Sequence, residues 1–142
     1  MKEFEVIKKS ITVKVDQKTA YNFCIKPKNL AAMVKNFAEV TSKGKNKLHW
    51  KVGEILGMSI AWDSTITGKP YERITCKSID ENLLENEMNL IFETVATGTK
   101  ITILIKHIEL NALVEKGIET LTGLDTKSIV AEAVKNLKKS IQ

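Results

Sequence analysis

Hydrophobic and polar residues alternate along most of this chain. Ile11, Val13 and Val15 alternate with Ser10, Thr12 and Lys14, the period-two pattern of a half-buried strand. Residues 4–15 are read as the first strand. Asp16 stands where a helix N-cap belongs, and the period then changes. Ala20, Phe23 and Cys24 share one face at i, i+3, i+4 spacing, the stripe of an amphipathic helix. Tyr21 falls off that line, which points to a surface or helix-flanking role rather than catalysis. Pro27 suits the first turn of a second helix, with Leu30, Met33, Val34 and Phe37 as its apolar stripe. Two short helices are expected across roughly 16–37.

From 38 to 109 the period is two. Val40 begins a strand, and Lys43-Gly44-Lys45-Asn46 is a turn signal. Leu48, Trp50 and Val52 then alternate with His49 and Lys51, and Gly53 and Gly57 bracket the next expected turn. Met58, Ile60, Trp62, Ser64 and Ile66 form one face of a further strand, which Gly68-Lys69-Pro70 is expected to break. Ile74, Cys76 and Ser78 follow, then a polar turn at Asp80-Glu81-Asn82, then Met88, Leu90 and Phe92. After Thr97-Gly98-Thr99, Ile101, Ile103 and Ile105 alternate with Thr102, Leu104 and Lys106. Six successive strands joined by short turns predict an antiparallel meander, and the first strand makes seven.

The richly apolar face of such a sheet needs a cover. Leu110, Leu113, Val114, Ile118 and Leu121 recur at helical spacing, Thr122-Gly123-Leu124-Asp125 interrupts them, and Ile129, Val130, Ala133, Val134, Leu137 and Ile141 resume. The opposite face carries Lys127, Glu132, Lys135, Lys138 and Lys139. The spacing predicts an amphipathic helix over roughly 125–140 lying across the sheet. The fold class is α+β.

Composition adds little until charge is followed along the chain. The 142 residues carry a net charge of +5, and residues 26–51 hold seven lysines (26, 28, 35, 43, 45, 47 and 51) against the single acid Glu39. Lys26, Lys28, Lys35, Lys43, Lys45 and Lys47 are therefore candidates for contact with an anionic membrane or an acidic protein. The segment has no arginine and no aromatic ladder, which argues against specific nucleic-acid binding. Cys24 and Cys76 form no CxxC pair and no metal-ligand spacing with His49 or His107, so a reduced, cytoplasmic protein without metal or cofactor is expected. No apolar leader and no run of membrane-spanning length is visible.

The order β-α-α-β6-α resembles the START/polyketide-cyclase superfamily, also called SRPBCC, helix-grip or Bet v 1-like. Local patterns agree. Ile11 to Cys24 looks like the family's opening strand and first helix, and Lys26-Pro27-Lys28-Asn29-Leu30 like the start of its second helix. Trp50-Lys51-Val52 with Trp62 resembles its W-x-V … W strands, Thr99-Lys100-Ile101-Thr102-Ile103 its T-x-V-T-V strand, and Asn136-Leu137-Lys138-Lys139 its C-terminal ending. The likeness spans almost all of residues 1–142, read as a single domain of this kind, cyclase/dehydrase-like or coenzyme-Q-binding-like. It implies a curved seven-stranded sheet, two short helices and a long C-terminal helix enclosing a cavity for an apolar or amphipathic molecule such as a lipid, quinone or polyketide.

Strand parity then selects the lining. Trp50, Trp62, Cys76, Met88, Leu90, Phe92, Ile103, Ile105 and His107 are expected inward, with Leu113 and Ile118 facing them from the C-terminal segment. Ser64 and Ser78 are the other inward polar groups. Asp63 and Glu93 fall on the outer face, as does His49. The motifs GxSxG, HExxH, the P-loop and the Rossmann fingerprint are all absent. The expected function is a binding or carrier protein. The alternatives are a cyclase/aromatase-like enzyme with His107 as acid/base, and an interaction module using the basic 26–51 surface.

Overall fold

The computed structural model describes residues 3–55, 57–79, 84–108 and 112–141. Eleven elements follow in order: β1 Phe4–Val13, α1 Gln17–Cys24, α2 Pro27–Met33, β2 Glu39–Ser42, β3 Lys47–Ile55, β4 Met58–Lys69, β5 Arg73–Ser78, β6 Asn86–Val95, β7 Gly98–Ile108, α3 Ala112–Thr122 and α4 Thr126–Ile141. The strands form one seven-stranded sheet in the order β1-β7-β6-β5-β4-β3-β2, and every pairing is antiparallel. The meander from β2 to β7 is the expected one, with β1 completing it beside β7. The polar turn at Asp80-Glu81-Asn82 and the apolar Leu110 lie outside the described residues.

Alternation sorts the side chains as the sequence predicts. Leu48 and Trp50 of β3, Ile60, Ser64 and Ile66 of β4, Ile74 and Cys76 of β5, Met88, Leu90 and Phe92 of β6, and Ile101 and Ile103 of β7 are all buried. The helices cover this face. Asp16 caps α1 by accepting from the Thr19 amide at 2.7 Å, and Pro27 opens α2. α4 packs on β1 and α2, and Asn136 ties it there by donating to the Met33 carbonyl and to Asn36 Oδ1 at 3.0 and 2.7 Å. The apolar interior falls into two clusters. The larger unites the sheet with α1, α2 and α4. The smaller is Ile60, Val114 and Ile118, with Val52, Leu84 and Ile129 against it, beneath α3.

The interruption at 122–125 is a full break. Gly123 takes φ +75°, a conformation open to glycine but strained for most residues, and its amide closes α3 on the Glu119 carbonyl at 2.7 Å. Asp125 then caps α4 by accepting from the Ser128 amide at 2.8 Å.

Three local expectations are corrected. Gly68 does not end a strand: β4 runs on to Lys69. A Cβ at Gly68 would collide with the Tyr21 hydroxyl, so glycine is required for the close approach of α1. Tyr21 itself is buried rather than on the surface. Its ring packs edge-on against Tyr71 and Phe92, with centroids 5.6 and 5.7 Å away. A helix laid across several strands, here against Phe92 of β6 and Gly68 of β4, buries more than one stripe. Gly53 lies within β3, where the register with β4 slips between Lys51 and Gly53; Ile55 pairs with Met58 across the actual connection.

Candidate functional site

Between the sheet and the C-terminal helices lies an apolar cavity of about 160 Å³. The sheet contributes Ile7, Trp50, Val52, Trp62, Cys76, Asn86, Met88, Ile103, Ile105 and His107, and Leu84 joins them from the turn before β6. The helical side and the segment after α2 contribute Met33, Val34, Phe37, Ala38, Ile118, Thr126, Ile129, Val130 and Ala133. The cavity therefore sits where the two apolar clusters meet.

Of the eleven lining residues expected from sequence, eight stand in this wall: Trp50, Trp62, Cys76, Met88, Ile103, Ile105, His107 and Ile118. Leu90 and Phe92 point to the same face but are buried in packing, Phe92 beneath Tyr21 of α1. Leu113 lies outside the residues whose side chains are described. Asn86 was not anticipated, although it shares the parity of Met88, Leu90 and Phe92; in the observed register it pairs with His107. The apolar α2 and α4 members were legible as helical stripes, though not as cavity wall.

Trp50 and Trp62 are a cross-strand pair on β3 and β4. Their rings stack with centroids 5.8 Å apart and planes 7° from parallel. Trp50 is fixed further by its indole N–H, which donates to Ser64 Oγ at 2.9 Å. Ser78 Oγ accepts from the Asn86 amide at 3.0 Å. Both inward serines are thus engaged within the wall.

Three polar side chains remain in the lining: Asn86, His107 and Thr126. Asn86 Nδ2 donates to the Leu84 carbonyl at 2.6 Å. His107 is only 9% exposed; its Nδ1 lies 2.9 Å from the Ile108 carbonyl. Its Nε2 is buried without a hydrogen-bond partner, the nearest opposite charge being Glu5 Oε2 at 3.6 Å. An unpaired buried polar atom costs about 1–3 kcal/mol.

Burial pushes both thiols up to about 12, which leaves them protonated near neutrality and weak as nucleophiles. Cys76 serves the cavity as an apolar surface. On the outer face, Asp63 accepts from His49 Nδ1 at 2.7 Å and pairs with Lys43 at 3.2 Å. Glu93 is exposed. No cluster of metal-ligating side chains occurs among the described residues.

No protein-family model and no curated protein matches the chain. Solved structures do. A Deinococcus radiodurans protein superposes with TM-score 0.71 at 14% identity, covering 96% of each chain. A START superfamily protein from Mycobacterium smegmatis gives 0.65 at 12% identity, covering 96% of this chain and 99% of that one. This is a START-like, helix-grip fold. The di-domain ARO/CYC protein StfQ of the steffimycin biosynthetic pathway carries the same fold, with TM-score 0.64 at 12% identity over 96% of this chain and 50% of its own. The helix-grip cavity is the space between the gripped α4 and the sheet, and the stacked indoles and His107 lie in its wall. No helix among the described residues is long and apolar enough to cross a membrane.

The basic segment wraps the outside of this grip. Lys26, Lys28, Lys35, Lys43, Lys45 and Lys47 are all exposed along α2 and the β2–β3 hairpin, and Lys43 leans on Asp63.

Proposed function

We propose that this chain is a binding protein for a small, flat, largely apolar molecule carrying one polar group, held in the helix-grip cavity. The observation that carries the reading is an apolar cavity between the sheet and the C-terminal helices, walled by the stacked indoles of Trp50 and Trp62 with His107 among its few polar members. Apolar cavities of about 150 Å³ stay dry and bind benzene-sized guests, so the volume suits a ring better than a folded acyl chain. Burial of ligand surface against Trp50, Trp62, Met88 and Ile105 supplies the affinity. The START and ARO/CYC neighbours support a cavity-binding role. Two free, buried cysteines suit a reducing compartment such as the cytoplasm. Native mass spectrometry of the purified protein, followed by titration of tryptophan fluorescence with quinones, flat aromatics and fatty acids, tests the reading. A ring-shaped guest that perturbs the indoles is expected; indifference of both tryptophans to every ligand sinks it.

A second reading, cyclase- or dehydratase-like proton transfer, is favoured by one detail. His107 lines the cavity with its Nδ1 against the Ile108 carbonyl, and a cavity histidine can serve as a general base. It predicts His107-dependent deuterium uptake beside the carbonyl of an enolisable ligand in D2O, followed by NMR. We also propose that the exposed lysines of 26–51 make a transient contact with anionic lipid. Co-sedimentation with anionic vesicles should then fall steeply between low and high salt, and equal binding to neutral vesicles would return these lysines to an ordinary solvated surface.

A further inference from the structure

We propose that a second pocket, between α1 and the β2–β3 hairpin, binds a phosphate monoester, with the Tyr21 hydroxyl as its fixed donor. This site goes beyond the cavity reading and does not depend on it.

The pocket has a volume of about 470 Å³ and shares no lining residue with the helix-grip cavity. Leu48 of β3 and Ile66 of β4, both buried, give it an apolar floor. Tyr21 reaches it from α1. The tyrosine hydroxyl lies over Gly68, itself part of the lining, where a Cβ would collide with it. Tyr21 is only 7% exposed. Its hydroxyl nevertheless has no hydrogen-bond partner among the described residues, and it is not sealed from solvent as His107 Nε2 is. Burial, and then Tyr71 beside it, hold its pKa above the ordinary 10. The group is therefore a neutral O–H at physiological pH, held in place by the packed ring and able to donate.

Charge decides what it donates to. Lys47 is the one charged residue in the lining, and no acid stands there. Lys26, Lys43 and Lys45 are immediate chain neighbours of lining residues. Lys43 is engaged by Asp63 at 3.2 Å; among the described residues no ion pair holds Lys26, Lys45 or Lys47. Asn46 adds a carboxamide at the hairpin. The pocket thus offers a buried donor, an amide and positive charge above an apolar floor. A phosphate monoester matches all of these. It brings three acceptor oxygens and nearly two negative charges, and its organic group can lie on Leu48 and Ile66. A carboxylate brings one charge and two oxygens.

The test is a protein-observed NMR titration of the full chain at about pH 7.5, where tyrosine keeps its proton. The probes are phenyl phosphate, inorganic phosphate and benzoate. The amide signals of Gly44 and Gly68 report on this pocket, and the indole N–H signals of Trp50 and Trp62 report on the cavity. Phenyl phosphate should shift the two glycines, leave the indoles in place and bind tightest of the three. Tyr21→Phe keeps the ring that packs on Phe92 and should weaken phenyl phosphate about tenfold, the scale of a hydrogen bond to a charged group. Lys47→Gln, an exposed site, should weaken it about two- to fivefold. Vesicles of phosphatidylcholine with phosphatidic acid or phosphatidylglycerol, at equal surface charge, separate the two sources of such a group. A preference for phosphatidic acid that Tyr21→Phe abolishes assigns a lipid headgroup. Equal binding to both vesicles, with phenyl phosphate still dependent on Tyr21, assigns a free phosphate ester. The site is overturned if benzoate equals phenyl phosphate, if neither substitution weakens phenyl phosphate, or if the indoles shift and the glycines do not. The cavity reading stands in each case, because its own ligands are read at the indoles.

Discussion

Trp62 illustrates how much one side chain contributes to the site. It is half-buried, stacked on Trp50 and part of the cavity wall, and among the described residues no hydrogen bond holds its indole as Ser64 holds that of Trp50. Trp62→Ala should lower the affinity for a flat guest by about ten- to a hundredfold, the effect of losing roughly 1–3 kcal/mol of contact. Fluorescence of the remaining Trp50 would follow the titration. Asp63 contributes in a different way. Its hydrogen bond from His49, then that from Lys43, hold its carboxyl below the ordinary 3.8. A depressed folded value means that the stabilisation is complete above the unfolded value and fades as pH falls through the folded one. Asp63→Asn should thus flatten the loss of stability below about pH 4 relative to wild type, as measured by urea unfolding at several pH values. His107 shows what could be read from sequence at this scale. Its inward direction follows from the parity of Ile101, Ile103 and Ile105. Its neighbours Glu5 and Asn86 do not, because they come from β1 and β6 and meet it only through pairing register.

Among the elements, the strands were the most legible, since a period of two states both the element and its buried face. Helix α1 was legible as an element but not in the width of its buried face, and Tyr21 explains why. A helical stripe assumes one apolar partner, whereas α1 lies against Phe92 on β6 and over Gly68 on β4. The missing Cβ at Gly68 looks from sequence like a turn signal and is in fact the recess for a tyrosine hydroxyl. Gly68→Ala should therefore destabilise the fold by about 1–3 kcal/mol through overpacking, and Tyr21→Phe in the same chain should recover part of the loss. Thermal unfolding of the single and double variants measures both; an additive double variant would dissociate the two positions. In the C-terminal segment the interruption at Thr122-Gly123-Leu124-Asp125 was legible, and the structure makes it a glycine stop followed by an aspartate cap.

At the scale of the whole molecule, the order of elements carried the fold, while the volume of the cavity depended on side-chain packing that no periodicity encodes. The eight expected residues that line the cavity sit on strands of known parity, apart from Ile118 on α3. The cavity also separates two unequal apolar clusters, and that division has a dynamic consequence. α4 is anchored in the large cluster and by Asn136, whereas α3 rests on Val114 and Ile118 over Ile60. Regions with fewer buried contacts open at lower free energy than the global transition. Backbone amides of α3 should accordingly exchange with deuterium faster than those of α4 under native conditions, and a bound guest touching Ile118 and Ile129 should slow them. Equal protection along both helices would contradict this. If the hierarchy holds, the molecule need not unfold to load its cargo: α3 is the part of the grip that lets go first.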